Sequence, residues 1–124
     1  MTNRLRRACT ADGYPTVALF DAAGHELHFL YSHRGDQMVS GQPPEQVTVP
    51  AGASAYFMFN KYRCDLHEIA VARGLRLALP GSAQTVTVRL PAYPRISYCP
   101  ADVPSRTIAV TAISKTVAAT FARH

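Results

Sequence analysis

The stretch LRLALPGSAQTVTVRLP, residues 75–91, limits the fold more than any other part of the chain. Leu75, Leu77 and Leu79 alternate with Arg76 and Ala78, and Val86, Val88 and Leu90 alternate with Thr85, Thr87 and Arg89. A period of two puts apolar side chains on one face of an extended strand, which a helix of period 3.6 does not do. Pro80-Gly81 sits between the two runs. Proline presets the first central position of a turn, and glycine takes the positive φ of the second. The stretch predicts an antiparallel hairpin.

The same grammar recurs along the chain. Thr16–Phe20 reads as a strand, Asp21-Ala22-Ala23-Gly24 as a type I turn closed by Gly24, and His25–Tyr31 as the returning strand. Leu27 and Phe29 share one face of that strand. Ser32–Glu45 has no period and reads as a loop. Val47–Val49 is a short strand, Pro50-Ala51-Gly52 a turn, and Ala53–Phe59 a further strand. Leu66, Ile69, Ala70 and Arg73 stand at helical spacing and predict a short helix near residues 66–73, ended by Gly74. Pro91–Pro104 is a proline-punctuated loop, and Thr107–Ala112 a last strand with Ile108 and Val110 facing in. Ile113, Val117 and Phe121 recur every four residues, so the tail is either a short helix or a frayed end. About seven short strands, with turn signals every 8–12 residues or so, predict an all-β, immunoglobulin-like sandwich. The expected organisation is one domain over residues 1–112 and a tail over 113–124.

Composition narrows the function classes. A chain of 124 residues is one domain's worth, and 17% charged residues is too few for a disordered chain. The formal net charge is +5, but the only tight basic run is Arg4, Arg6 and Arg7, and the remaining cations are scattered. Nucleic-acid binding needs clustered charge with stacking aromatics, so that class is set aside. No run of about 18 apolar residues exists to form a transmembrane helix. MTNRLRRACTADG begins basic but has no apolar core after it, so no signal peptide is expected within the chain.

GYPTVALFDAAGHEL, then VTVPAGASAYFMF, Cys64, LRLALPG with TVTVRLP, and Cys99 before a closing strand form an ordered series. Over roughly residues 2–112 this series resembles the domain of unknown function 4232 family, mostly actinobacterial, secreted or lipid-anchored proteins. Cys9, Gly13-Tyr14-Pro15, Ala51-Gly52, Cys64 and Cys99 occupy places that recur in that family. The resemblance implies a secreted or cell-envelope β-sandwich and carries no established activity. Members usually have a further N-terminal strand, often with its own cysteine, after an export signal. Here Met1-Thr2-Asn3 begins inside what would be the second strand. The expectation is a late-called start or a truncated relative, with some tendency to dimerise through the exposed sheet edge near Arg4–Thr10.

An odd count of three cysteines in a secreted domain points to a partner elsewhere. Cys64 precedes the 75–90 hairpin and Cys99 follows it, and a bridge between them is expected, leaving Cys9 unpaired. The alternative is a metal site. Cys64-x-x-His67 has the spacing of a zinc half-site, with Cys99 as a third ligand. His25, His28 and His33 with Met38 suggest copper more weakly, because His25 and His28 fall on opposite faces of a strand.

Catalytic signatures are missing: there is no Gly-x-Ser-x-Gly, no His-Glu-x-x-His and no phosphate loop. Cys64 with Asp65, His67 and Glu68 can be drawn as a cysteine-nucleophile site, which a disulfide would abolish. Tyr56, Tyr62, Tyr93 and Tyr98 fall in or near loops and form a candidate recognition surface, or else rim packing. The reading is therefore a non-enzymatic envelope module without a cofactor. Its partner would be an envelope protein or a glycan, and metal binding through Cys64, His67 and Cys99 is the alternative.

Overall fold

A computed structural model of the chain describes residues 2–3, 8–62, 64, 68–81, 85–92, 95–100 and 106–122. These residues form an all-β protein of eleven short strands, more and shorter than the seven expected. They are β1 (Cys9–Asp12), β2 (Thr16–Phe20), β3 (Glu26–Leu27), β4 (Leu30–Ser32), β5 (Gln46–Val49), β6 (Phe59–Lys61), β7 (Ala70–Val71), β8 (Gly74–Ala78), β9 (Thr85–Arg89), β10 (Ser97–Tyr98) and β11 (Thr107–Val110). No helix among the described residues is long and apolar enough to cross a membrane. The chain divides into two compact units. One comprises Met1–Pro15, Ser32–Asn60 and Ala109–His124, and the other Thr16–Tyr31 and Lys61–Ile108. The strands β4, β6 and β11 lie where the chain passes from one unit to the other.

The second unit is built on an antiparallel sheet of order β3-β2-β8-β9. β8 pairs with β9 from Gly74↔Arg89 to Ala78↔Thr85, and with β2 from Thr16↔Ala78 to Phe20↔Gly74. The register sets Leu19, Leu75 and Val88 in one cross-strand row, and Val17, Leu77 and Val86 in the next. Leu19, Leu75 and Val17 are buried, whereas Val86 is 61% exposed and Val88 44% exposed. Burial of a side chain such as Leu19 contributes roughly 1.5–3 kcal/mol, so the apolar face is anchored at β2 and β8 and open at β9. The reverse face carries the rows Phe20, Gly74, Arg89 and Ala18, Arg76, Thr87.

Asp21–Gly24 forms the expected turn. Asp21 Oδ1 accepts hydrogen bonds from the amides of Ala23 (3.0 Å) and His25 (2.8 Å), and Gly24 takes φ +86°. The returning strand is broken in two. The Phe29 amide donates to the Leu27 carbonyl at 2.9 Å, a two-residue reach that kinks the chain between β3 and β4. Phe29 is thereby buried with its ring edge-on to Tyr98, centroids 5.0 Å apart.

The helix expected near residues 66–73 is corrected by the fold. Residues 65–67 lie outside the described residues, and from Glu68 onward the chain is extended. β7 pairs with β10 through Ser97↔Val71 and Tyr98↔Ala70, flanked by hydrogen bonds from Ile69 to the Tyr98 carbonyl and from Ala72 to the Ile96 carbonyl. Four residues at helical spacing are a weak signal. A facing strand that satisfies both donors outweighs it, and Ile69, one of the four, is 57% exposed.

The first unit pairs β1 with β5 from Cys9↔Val49 to Asp12↔Gln46. Its core is a small cluster of Ala11, Val47, Val49, Ala55 and Ile113, with Phe57 packed against it. The expected strand over Ala53–Phe59 survives only as single bridges, Thr2↔Ser54 and Tyr56↔Ser114, before β6. Much of the unit is held by buried polar side chains instead. The Asn3 side chain donates to the Val49 carbonyl at 2.8 Å, and Thr111 Oγ1 accepts from the Met58 amide at 2.8 Å. Among the described residues of the tail no α-helix forms. A single 3-10 turn, Ala118–Thr120, buries Thr120, and Phe121 bridges to Val39.

Candidate functional site

The reverse face of the four-stranded sheet forms a groove of about 1000 Å³. Its lining includes the cations Arg73, Arg76 and Arg89. The register explains the space: Gly74 stands between Phe20 and Arg89, and the missing side chain leaves the floor low. A Cβ there would meet only the Phe20 Cβ, at an ordinary 3.8 Å. Arg73 is fixed through its backbone, donating to the Phe20 carbonyl (2.7 Å) and accepting from the Leu90 amide (2.9 Å). The Arg76 guanidinium lies 4.8 Å above the Phe20 ring and 3.8 Å from Glu26, a cation–π contact with a loose ion pair beside it. Arg89 has no carboxylate partner among the described residues. Among the described residues Asp21 is the one acid in the lining. The His25 amide leads the hydrogen bonds that hold its carboxyl below the usual carboxylate range, and those bonds commit its charge to the turn.

A second cluster surrounds the cysteines. Cys64 and Cys99 are joined by a disulfide, with Cα atoms 5.5 Å apart. Lys61 Nζ lies 3.3 Å from Cys99 Sγ and donates to the Tyr62 carbonyl at 2.6 Å. Arg106 donates to the Cys99 carbonyl through Nη2 (2.6 Å) and sets its guanidinium 4.4 Å above the Tyr98 ring. Glu68 ties β7 to the segment leading into β10. It pairs with Arg95 and accepts from the Ser97 hydroxyl at 2.5 Å. The Arg95 hydrogen bonds, followed by that of Ser97, hold the Glu68 carboxyl down at about 2.

Tyr56 belongs to the first unit and Tyr62 to the second. Tyr98 is half-buried between Phe29 and Arg106, which makes it packing, and Tyr93 lies outside the described residues. His25 approaches Asp21 and His28 approaches Glu26, each at 3.3 Å, while His33 stacks on Tyr14 with centroids 3.6 Å apart. His67 lies outside the described residues, as do Asp65 and the basic run Arg4, Arg6 and Arg7. Among the described residues no group of three or more His, Cys, Asp or Glu side chains is placed to hold a metal ion. As a disulfide, Cys64 and Cys99 offer zinc no thiolate.

Over residues 1–114 the sequence matches the family described as Domain of unknown function (DUF4232). The chain belongs to the DUF4232 family. No curated protein and no solved structure matches it. For this DUF4232 chain the resemblance supplied the order of strands and cysteines, and it said nothing of the arginine groove. Arg76 and Arg89 were legible only as polar positions of two alternating runs. Their convergence depends on the pairing of Gly74 with Arg89, which sets where the two strands meet, and on the close of β2 at Phe20.

Proposed function

We propose that this chain is a non-catalytic binding module of the bacterial cell envelope, its strands arranged as an immunoglobulin-like sandwich. The Cys64–Cys99 disulfide carries the reading, because such bridges persist in oxidising compartments and are rare in reducing cytosol. The placement of the acids supports a role without chemistry: Asp21 serves a turn and Glu68 serves a strand tie. The partner is an envelope protein or glycan. β1 is paired on one side by β5, and a homodimer through its other edge belongs to the same reading. Sedimentation of a strictly monomeric protein across the micromolar range overturns that part.

The deciding experiment is intact mass spectrometry on never-reduced protein, native and denatured, before and after thiol alkylation. One alkylated cysteine and no metal is the expected result. Three alkylated cysteines with zinc retained in the native spectrum would replace the reading with a metal site at Cys64, His67 and Cys99.

A further inference from the structure

We infer that the groove over Phe20 and Gly74 binds an acidic glycan, with Arg73, Arg76 and Arg89 receiving its carboxylates. The inference rests on the binding-module reading and names the ligand class of that module.

Among the described residues of this lining three arginines stand against one aspartate, and the aspartate is engaged by its own turn. An arginine fork matches a carboxylate in two parallel hydrogen bonds, so an anionic ligand is the partner the geometry selects. One of the cations is held in place, Arg76 by the Phe20 ring. The backbone at Arg73, where its side chain leaves the strand, is fixed by two main-chain hydrogen bonds. The loose Glu26 contact to Arg76 is an exposed pair, worth little, that a ligand carboxylate can displace.

The rest of the lining decides between anions. Leu90, Pro91 and Ala92 supply an apolar wall and Thr87 a hydroxyl, a mixture suited to the C–H faces and hydroxyls of a sugar. The groove is open to solvent on one side and stands at the upper end of the roughly 300–1,000 Å³ typical of ligand pockets, which suits a chain running through it. Single-stranded nucleic acid would need a free aromatic face for its bases, and the Phe20 ring is already covered by Arg76. An acidic peptide added as a further strand would lie along a sheet edge and be read by main-chain hydrogen bonds, whereas this groove lies on the face of the sheet.

Titration calorimetry at low salt with oligogalacturonate as the probe tests this. A neutral malto-oligosaccharide of matched length and an oligoglutamate serve as the comparison probes. Oligogalacturonate should bind and weaken with added salt. The neutral sugar should not bind, and the peptide should be markedly weaker. Arg76→Ala and Arg89→Ala should each lose roughly tenfold in affinity, the size expected for one charge-assisted hydrogen bond. Gly74→Leu fills the floor without changing charge and should abolish binding. If that variant fails to fold, Arg89→Ala on the exposed strand β9 decides alone. No binding of oligogalacturonate, equal binding of the neutral sugar, or binding unchanged in the variants overturns the inference. Peptide binding as tight as the glycan's overturns it in favour of an acidic protein partner. Each sample is checked by mass for the Cys64–Cys99 bridge. Oxidised protein that ignores the glycan defeats this inference alone, while reduced, zinc-bearing protein defeats the module reading beneath it.

Discussion

The two units reach the same β content by different means. The unit around β2 and β8 is a continuous ladder, with five residue pairs between β2 and β8 and five between β8 and β9. Its second patch, β7 with β10, is short and is clipped by a disulfide and the Glu68–Arg95 tie. The unit around β1 and β5 has one four-pair ladder and then single bridges. Buried side chains such as Asn3 and Thr111 complete the backbone hydrogen bonds that a longer strand would have made for itself. Regular strands supply their own partners, and an irregular segment must borrow them from particular side chains. The second kind of unit is therefore more sensitive to single substitutions at polar positions.

Removing the clip gives the largest expected effect. The bridge closes 35 residues, and the loop-entropy model assigns it about 4 kcal/mol. Replacing Cys64 and Cys99 together by alanine should lower the melting temperature by roughly 10 °C or more. Reductant should do the same to the native protein and nothing to the variant. Hydrogen exchange sharpens the comparison: the amides of Ile69 and Ala72 should accelerate, and those of the β1–β5 ladder should not. Equal acceleration in both would erase the distinction between the units.

Next in size is Asn3→Ala. The Val49 carbonyl would lose its buried donor, at a cost of about 2 kcal/mol. A urea melt reads this directly. A cost near zero would mean that the first unit does not depend on borrowed side-chain partners. An exposed polar residue of the ladder, such as Thr87, is the control and should change stability little.

The smallest effect is a pH dependence. The Glu68 carboxyl is held at about 2, against an ordinary value of 4.5, by Arg95 and Ser97. A depressed carboxyl stabilises the fold above its unfolded value. The contribution is present above about pH 4.5 and is lost as pH falls toward 2. Glu68→Gln should flatten this acid limb of the stability curve, and added salt should shrink it, because the side chain is 31% exposed. An unchanged acid limb in the variant would show that the tie does not contribute.

What could be read in advance follows the same division. The alternation of Leu75–Leu90 and the Asp21–Gly24 turn are local patterns, and both formed. The break at Phe29 was hidden because the contact that Phe29 makes there, with Tyr98, is distant in sequence. The extended course of Glu68–Arg73 was hidden for the same reason. Ala70 and Val71 adopt it because Ser97 and Tyr98 face them, and no window of neighbouring residues contains that fact. The candidate site was less legible still. Of the tyrosines singled out by residue type, Tyr98 packs between Phe29 and Arg106. The arginines of the groove are unremarkable one by one and meet only through the register that joins Phe20, Gly74 and Arg89.

β9 shows all five of its side chains to solvent and keeps its place through backbone pairing with β8. Its sequence is therefore weakly constrained by the interior. Thr85–Arg89 is the strand that descent can rewrite most freely, since a changed side chain there empties no core and strands no buried donor. One side chain of the groove, Arg89, hangs from it. A lineage could alter what the groove prefers by substitutions in this strand while β2 and β8 stay as they are, and diversity among relatives is expected to concentrate there.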